Sequence, residues 1–416
     1  MDPVRNPYAP GAGQRPPELA GRDGELDGFD VVLERVSRGR PERSLVLTGL
    51  RGVGKTVLLN AMRSAAVRRR WGTGKLEARP DIPLRRPLAA ALHLALRELG
   101  PRQQDETAHV LGILKSFAMR DGGGRGGSSG SGRTAVRDRW QPGIDVPAVP
   151  GRADSGDIEI DLVELFTDIA GLAGDMGRGV AIFIDEMQDI GSDDVSALCA
   201  ACHEISQQRL PLVVVGAGLP HLPAVLSASK SYSERLFRFA RIDRLERDAA
   251  DRALRTPARD EGADFDEAAL GALYAATAGY PYFVQAYGKV AWDVAPASPI
   301  TADDVKVAAP EAEAELAVGF FGSRYERATP AEREYLRAIA DLSTSGSTSS
   351  ATGAEGLTDG GVATSAIADL LGRKAQSLSP ARDALIKKGL VYSGERGRIA
   401  FTVPHFGRYL LRQAPD

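Results

Sequence analysis

The 416 residues exceed what one compact core holds, so two or three domains are expected. Hydrophobic residues at 43% and charged residues at 26% exclude a chain that is disordered throughout. The 52 basic and 55 acidic residues nearly cancel, which excludes a whole-chain field for nucleic acid and makes any basic surface local.

Residues 1–16 read as an N-terminal tail, polar from Met1 to Tyr8 and without the apolar stretch of a secretory signal. No run approaches the length of a membrane span, so a cytoplasmic location and no membrane partner are expected. Residues 17–246 alternate short apolar runs with helical patterns, the signature of an α/β core with a parallel sheet. Strands are expected at Ser44 to Thr48, Gly179 to Ile184, Pro211 to Val215 and, more weakly, Phe239 to Ile242. Each is continuously apolar, as a strand covered on both faces requires.

The first strand runs into Gly49-Leu50-Arg51-Gly52-Val53-Gly54-Lys55-Thr56, a full G-x-x-x-x-G-K-[ST] loop, and the amphipathic segment from Val57 to Val67 follows. Glycines let such a loop wrap phosphate oxygens with its N–H groups at a helix N-terminus. Lys55 then neutralises β- and γ-phosphate charge, and the Thr56 hydroxyl ligates Mg²⁺. Residues 121–157 form a Gly-rich insertion, expected to be a flexible linker. The next strand ends in Asp185-Glu186, and two carboxylates there are costly unless they act at the strand's exposed tip. Asp185 is placed to hold Mg²⁺ and Glu186 to orient and deprotonate a water. Cys199-Ala200-Ala201-Cys202-His203 matches the string for covalent haem attachment, but in a helix after an ATPase motif it reads as two small half-buried residues beside a polar His.

From Arg247 the period becomes helical, and residues 247–316 read as an all-α lid. Residues 317–416 read as a winged helix-turn-helix. A capping box opens it at Thr329-Pro330-Ala331-Glu332, and helices follow at Ala331 to Leu342, Thr364 to Leu371 and Pro380 to Lys388, with Gly372 and Gly389 as stops. A flexible linker is expected at 343–361, and a hairpin from Leu390 to Val403. Basic residues outnumber acidic ones in this part. Arg382, Lys387, Lys388, Arg396 and Arg398 are therefore candidates for double-stranded DNA, and reversing the lysines or the wing arginines is expected to leave ATP binding untouched.

These motifs together resemble the origin-recognition-like branch of the AAA+ ATPases and the related STAND ATPases. Pro17 to Asp23 resembles the group's short G-R-[ED] motif, Ile184-Asp185-Glu186-Met187-Gln188 its acidic motif with trailing Gln, and Gly279-Tyr280-Pro281 its G-x-P motif. The resemblance implies a P-loop NTPase core with lid and winged helix, ATP or ADP with Mg²⁺ as cofactor, and a homo-oligomer. It places Gly21 and Arg22 at the adenine and ribose, Pro281 and Val57 beside the nucleotide, and an arginine finger at Arg235, with Arg238 second. The chain departs from it at Gly216-Ala217-Gly218, where a polar sensor is usual, and has no arginine at the start of the Gly279 to Tyr287 helix. Turnover is therefore expected to be slow. The alternative is a signalling switch whose winged helix binds a protein partner. A small-molecule kinase is disfavoured, because Asp185-Glu186 suits water as acceptor.

Overall fold

The computed structural model describes residues 1–11, 13–100, 104–120, 143–230, 232–345, 361–393, 397–403 and 405–413. Five parallel strands form one sheet: β1 (Ser44–Thr48), β2 (Gly72–Glu77), β3 (Val180–Asp185), β4 (Leu212–Gly218) and β5 (Phe237–Arg241), in the order β2-β3-β4-β1-β5. Every residue of β1, β3 and β4 is buried, which is why these three read as apolar runs. β1 has the expected limits, β4 runs on to Gly218, and β5 begins at Phe237, before the expected Phe239.

Alternate side chains of the strands serve two cores. Leu45, Leu47, Phe183 and Val215 join helices Asp23–Ser37 and Lys55–Arg68, while Val46, Ile182, Ile184 and Val214 join helices Arg85–Leu99, Ile158–Asp175 and Ser192–Gln208. β4 lies between β3 and β1, so the tips of the acidic strand and of the P-loop strand flank it at one end of the sheet. Ligands of open α/β sheets bind at such carboxyl ends.

Four helices follow: Arg247–Asp260, Glu267–Thr277, Pro281–Val294 and Ala302–Leu316. The C-terminal part has helices Pro330–Ser345, Thr364–Leu370 and Ala375–Lys387 with an antiparallel sheet of β6 (Val362–Ala363), β8 (Arg398–Phe401) and β7 (Val391–Tyr392), an arrangement compatible with a winged helix. Thr329 and Glu332 make the two reciprocal bonds of the capping box, at 2.8 and 3.4 Å. Gly372 and Gly389 have φ of +60° and +64°, as helix stops require. A last helix, Phe406–Arg412, packs back on Pro330–Ser345, and Phe321 stacks on Phe406 and Tyr409 to join this part to the lid. Of the two expected linkers, residues 121–142 and 346–360 lie outside the described residues. Among the described residues no helix is long and apolar enough to cross a membrane.

Candidate nucleotide site

The loop after β1 takes the form its sequence demands. Gly52 and Gly54 have φ of +85° and +89°, a region closed to most side chains, so the turn into helix Lys55–Arg68 needs glycine there. The Gly49 N–H donates to the Gly218 carbonyl at 3.2 Å, tying the loop to the tip of β4. Lys55 donates from Nζ to the Gly49 and Leu50 carbonyls, each at 2.8 Å. Burial pushes its ammonium down to about 8 against the pull of Glu186, with Arg51 adding to the depression and Asp185 opposing it.

Arg51, Gly52, Val53, Gly54, Lys55, Thr56 and Val57 line a cavity of about 450 Å³, and Asp185, Glu186, Arg22 and Pro281 face the same space. Gly49, Leu50 and Gly21 stand behind the wall: the first two accept from Lys55, and Gly21 packs against Ala249. The buried Arg22 guanidinium donates to the Val53 carbonyl at 3.2 Å and to the Asp243 carbonyl, so it buttresses the loop. Pro281 opens the lid helix, and the next N–H, from Tyr282, donates to the Gly52 carbonyl at 3.3 Å.

Asp185 is buried at the end of β3 and accepts from the Glu186 N–H at 3.0 Å. Glu186 itself has φ +49°, left-handed for a residue with a Cβ. Its carboxylate lies 3.5 Å from Arg51 Nη1 on one oxygen and accepts from Gln188 Nε2 at 2.7 Å on the other.

A nucleotide fits these groups. The buried Arg51 Nε has no hydrogen-bond partner, an open donor in a cavity whose lining carries five further cations in Arg22, Lys55, Arg324, Arg327 and Lys388. Thr56 and Asp185 offer two hard oxygen ligands. Among the described residues no group of three or more His, Cys, Asp or Glu could cage a metal, and two oxygens supplemented by phosphates are what Mg²⁺ takes in such sites.

Two walls of the cavity were not anticipated. Residues Ala9, Pro10, Gly11, Gly13, Gln14 and Pro16 of the supposed tail line it, held to the lid by the Tyr8 hydroxyl on the Leu254 carbonyl at 2.5 Å. Arg324, Arg327, Lys388, Gly389 and Leu390 close the opposite side. Arg324 brings an arginine to the cavity where the start of helix Pro281–Val294 has none, and burial with the Arg51 charge lowers its guanidinium to about 10. Composition gave no sign of these walls, because they are built from segments more than 200 residues apart in sequence. The Arg51 N–H donates to the Thr402 carbonyl at 3.0 Å, so the C-terminal part rests directly on the phosphate loop.

The DNA candidates stand in different surroundings. Lys388 is not free at a helix end: it donates to Glu332 at 2.6 Å and to the Arg327 carbonyl at 2.8 Å, beside the cavity. Arg398 donates to the Gly361 carbonyl at 2.5 Å and Arg382 pairs with Asp383 at 2.9 Å. Lys387 is exposed, and Arg396 lies outside the described residues. Arg235 and Arg238 are exposed at the Ser44 end of β5, a five-residue strand, hence roughly 17 Å from the chain's own phosphate loop. Cys199 and Cys202 are buried more deeply than the half-exposure expected, and burial pushes their thiols up to about 11 and about 12.

Residues 18–215 match the AAA ATPase domain family, and residues 318–410 match a family described as a domain of unknown function. No curated protein matches the chain. In fold the chain is similar to the Walker-type ATPase of Pyrococcus abyssi, with TM-score 0.55 and 16% identity over 95% of this chain and 97% of that one. It also aligns with the Thermotoga maritima RuvB Holliday junction branch migration motor (TM-score 0.43, 17% identity, 97% and 100% covered). The Aeropyrum pernix Orc1 protein in complex with DNA aligns similarly (0.42, 15%, 95% and 93%). Residues 18–215 of this chain are an AAA ATPase domain, and the chain is a P-loop protein of the AAA+ type with the motifs of the origin-recognition-like group.

Proposed function

We propose that this chain binds ATP with Mg²⁺, hydrolyses it slowly, and uses the nucleotide state to set the position of its C-terminal part. The observation that carries the reading is that one cavity is lined both by the phosphate loop and by Lys388, Gly389 and Leu390, with Arg51 bonded across to Thr402. In this reading Lys55 and the loop N–H groups hold the phosphates, Thr56 and Asp185 hold Mg²⁺, and Glu186 takes the proton of the attacking water. Mg²⁺ would neutralise charge on the β- and γ-phosphates. Groups of the C-terminal part stand at the cavity wall, so loss of the γ-phosphate changes what Arg51 and Arg324 can pair with. Release of that part would then be open to a protein partner or to DNA.

Arg235 cannot serve its own site across the length of β5, which supports action on a neighbouring copy in a homo-oligomer. The test is nucleotide turnover by the intact protein. Lys55→Ala should abolish ATP binding, whereas Glu186→Gln should bind ATP and not hydrolyse it. Mixing Arg235→Ala with Lys55→Ala subunits should restore some activity, and no rescue in a mixture shown to co-assemble would rule out a finger in trans.

A further inference from the structure

The polar sensor missing from β4 has a counterpart on the neighbouring strand. The chain leaving β3 turns at Glu186 and closes a short helical turn, Met187–Asp189, with the Asp189 N–H on the Glu186 carbonyl at 2.9 Å. That turn carries Gln188 back toward β4. Its Nε2 donates to Glu186 Oε2 at 2.7 Å, and its Oε1 accepts from the Leu219 N–H at 3.1 Å. Only this orientation of the amide satisfies both partners, since the reverse would set NH₂ against an N–H and oxygen against a carboxylate.

The glycines of β4 fit the same turn. A Cβ on Gly216 would lie 2.4 Å from Met187 Sδ, and one on Gly218 would lie 2.6 Å from both Gln188 Oε1 and Leu222 Cδ2. Residues two apart share a face of a strand, so Gly216-Ala217-Gly218 presents a smooth slot into which Met187 and Gln188 fit. A polar sensor at either glycine would collide with them. The Gly218 carbonyl in turn accepts from Gly49 N–H, the first residue of the phosphate loop. A short path of bonds therefore joins that loop, the tip of β4, Gln188 and Glu186.

We infer that Gln188 is the positioning residue for Glu186, supplying from the acidic strand's own turn the polar contact that β4 lacks, with Gly218 required to admit it. The inference rests on Glu186 orienting the attacking water. With one oxygen bonded to Gln188 and the other 3.5 Å from Arg51 Nη1, the carboxylate keeps the direction needed for that water, and misplacement of such a group by about 1 Å costs up to about a hundredfold in rate.

The test is steady-state ATP hydrolysis and fluorescent-nucleotide binding on the full chain, with thermal unfolding as a check on folding. Gln188→Ala should lower kcat by roughly ten- to a hundredfold and leave KM and ADP affinity within about twofold. Gln188→Glu, equal in size but without the donor, should be as poor. Gly218→Ala should reproduce the loss, and adding Leu222→Ala, which clears the methyl's other contact, should not restore kcat. The double variant of Gly218→Ala with Gln188→Ala should be no worse than Gln188→Ala alone, because the added methyl acts by displacing Gln188. Parental kcat in Gln188→Ala beside an inactive Glu186→Gln would overturn the inference, as would fully additive losses in the double variant. Parental kcat in Glu186→Gln, or a parent that never turns over, would instead overturn the reading of Glu186 on which it rests.

Discussion

At Lys55 the site is tuned by burial. Its ammonium is lowered from the ordinary 10.5 to about 8, so the free protein holds a partly neutral lysine above pH 8. Phosphates favour the charged form, and binding above pH 8 therefore takes up a proton. Nucleotide affinity should fall by up to about tenfold per pH unit between roughly 8 and 10. Calorimetry in buffers of different ionisation enthalpy checks this, and identical heats in both buffers at pH 9 would contradict it. The stability sign is the opposite one. A depressed lysine contributes stability above its unfolded value that is lost as pH falls through about 8, so at pH 7 it is a burden on the free fold. Lys55→Met should raise the melting temperature of the nucleotide-free protein at pH 7, by roughly 2–4 °C for each kcal/mol relieved. The phosphate loop was legible because its spacing is itself the mechanism. The unpartnered Arg51 Nε and the tilt of Gln188 toward Glu186 were not, since the first depends on what lies across the cavity and the second on the neighbouring tip of β4.

Among elements, legibility followed burial. β1, β3 and β4 are covered on both faces and read as apolar runs, whereas β2, Gly-Thr-Gly-Lys-Leu-Glu, sits at the sheet edge and escaped. Its glycines serve packing: a Cβ on Gly74 would lie 2.4 Å from the Ala91 carbonyl oxygen of helix Arg85–Leu99. That helix is fastened by one buried pair, Arg85 with Asp161 at 2.7 Å. Burial works to raise the Asp161 carboxyl, but bonds from Ser155 and Arg85 outweigh it and hold the group below its usual range. Asp161 therefore contributes stability above the unfolded carboxylate value that is lost as pH falls through its own lower one. Removing one partner strands a buried charge, so Asp161→Ala should cost about 3–5 kcal/mol in denaturant unfolding. Its nucleotide affinity should stay at the parental level, because no residue of the pair lines the cavity. A loss under about 1 kcal/mol would show that the pair is not the fastening it looks to be.

Over the whole molecule, the decisive contact joins a basic C-terminal part to the phosphate loop. Charge alone suggested that Lys387 and Lys388 act together at DNA. The fold divides them, because Lys387 ends helix Ala375–Lys387 in solvent while Lys388 turns inward to Glu332 and the Arg327 carbonyl at the cavity. Burial works to raise the Glu332 carboxyl, yet the bond from Lys388 and those from Thr329 hold it below its usual range. Lys388→Glu would set two carboxylates against each other within the C-terminal part and disturb the wall it gives the cavity. Release of a fluorescent ATP analogue should then quicken by at least about threefold, whereas Lys387→Glu should leave it unchanged, since like charges at close range cost on the order of 1 kcal/mol even at the surface. On a labelled duplex at low salt, Lys387→Glu should weaken whatever affinity the parent has, and the loss should shrink as salt rises. Equal release rates for the two lysine variants would show that the C-terminal part does not report on the nucleotide, and a DNA loss confined to Lys388→Glu would reverse the assignment of the two residues.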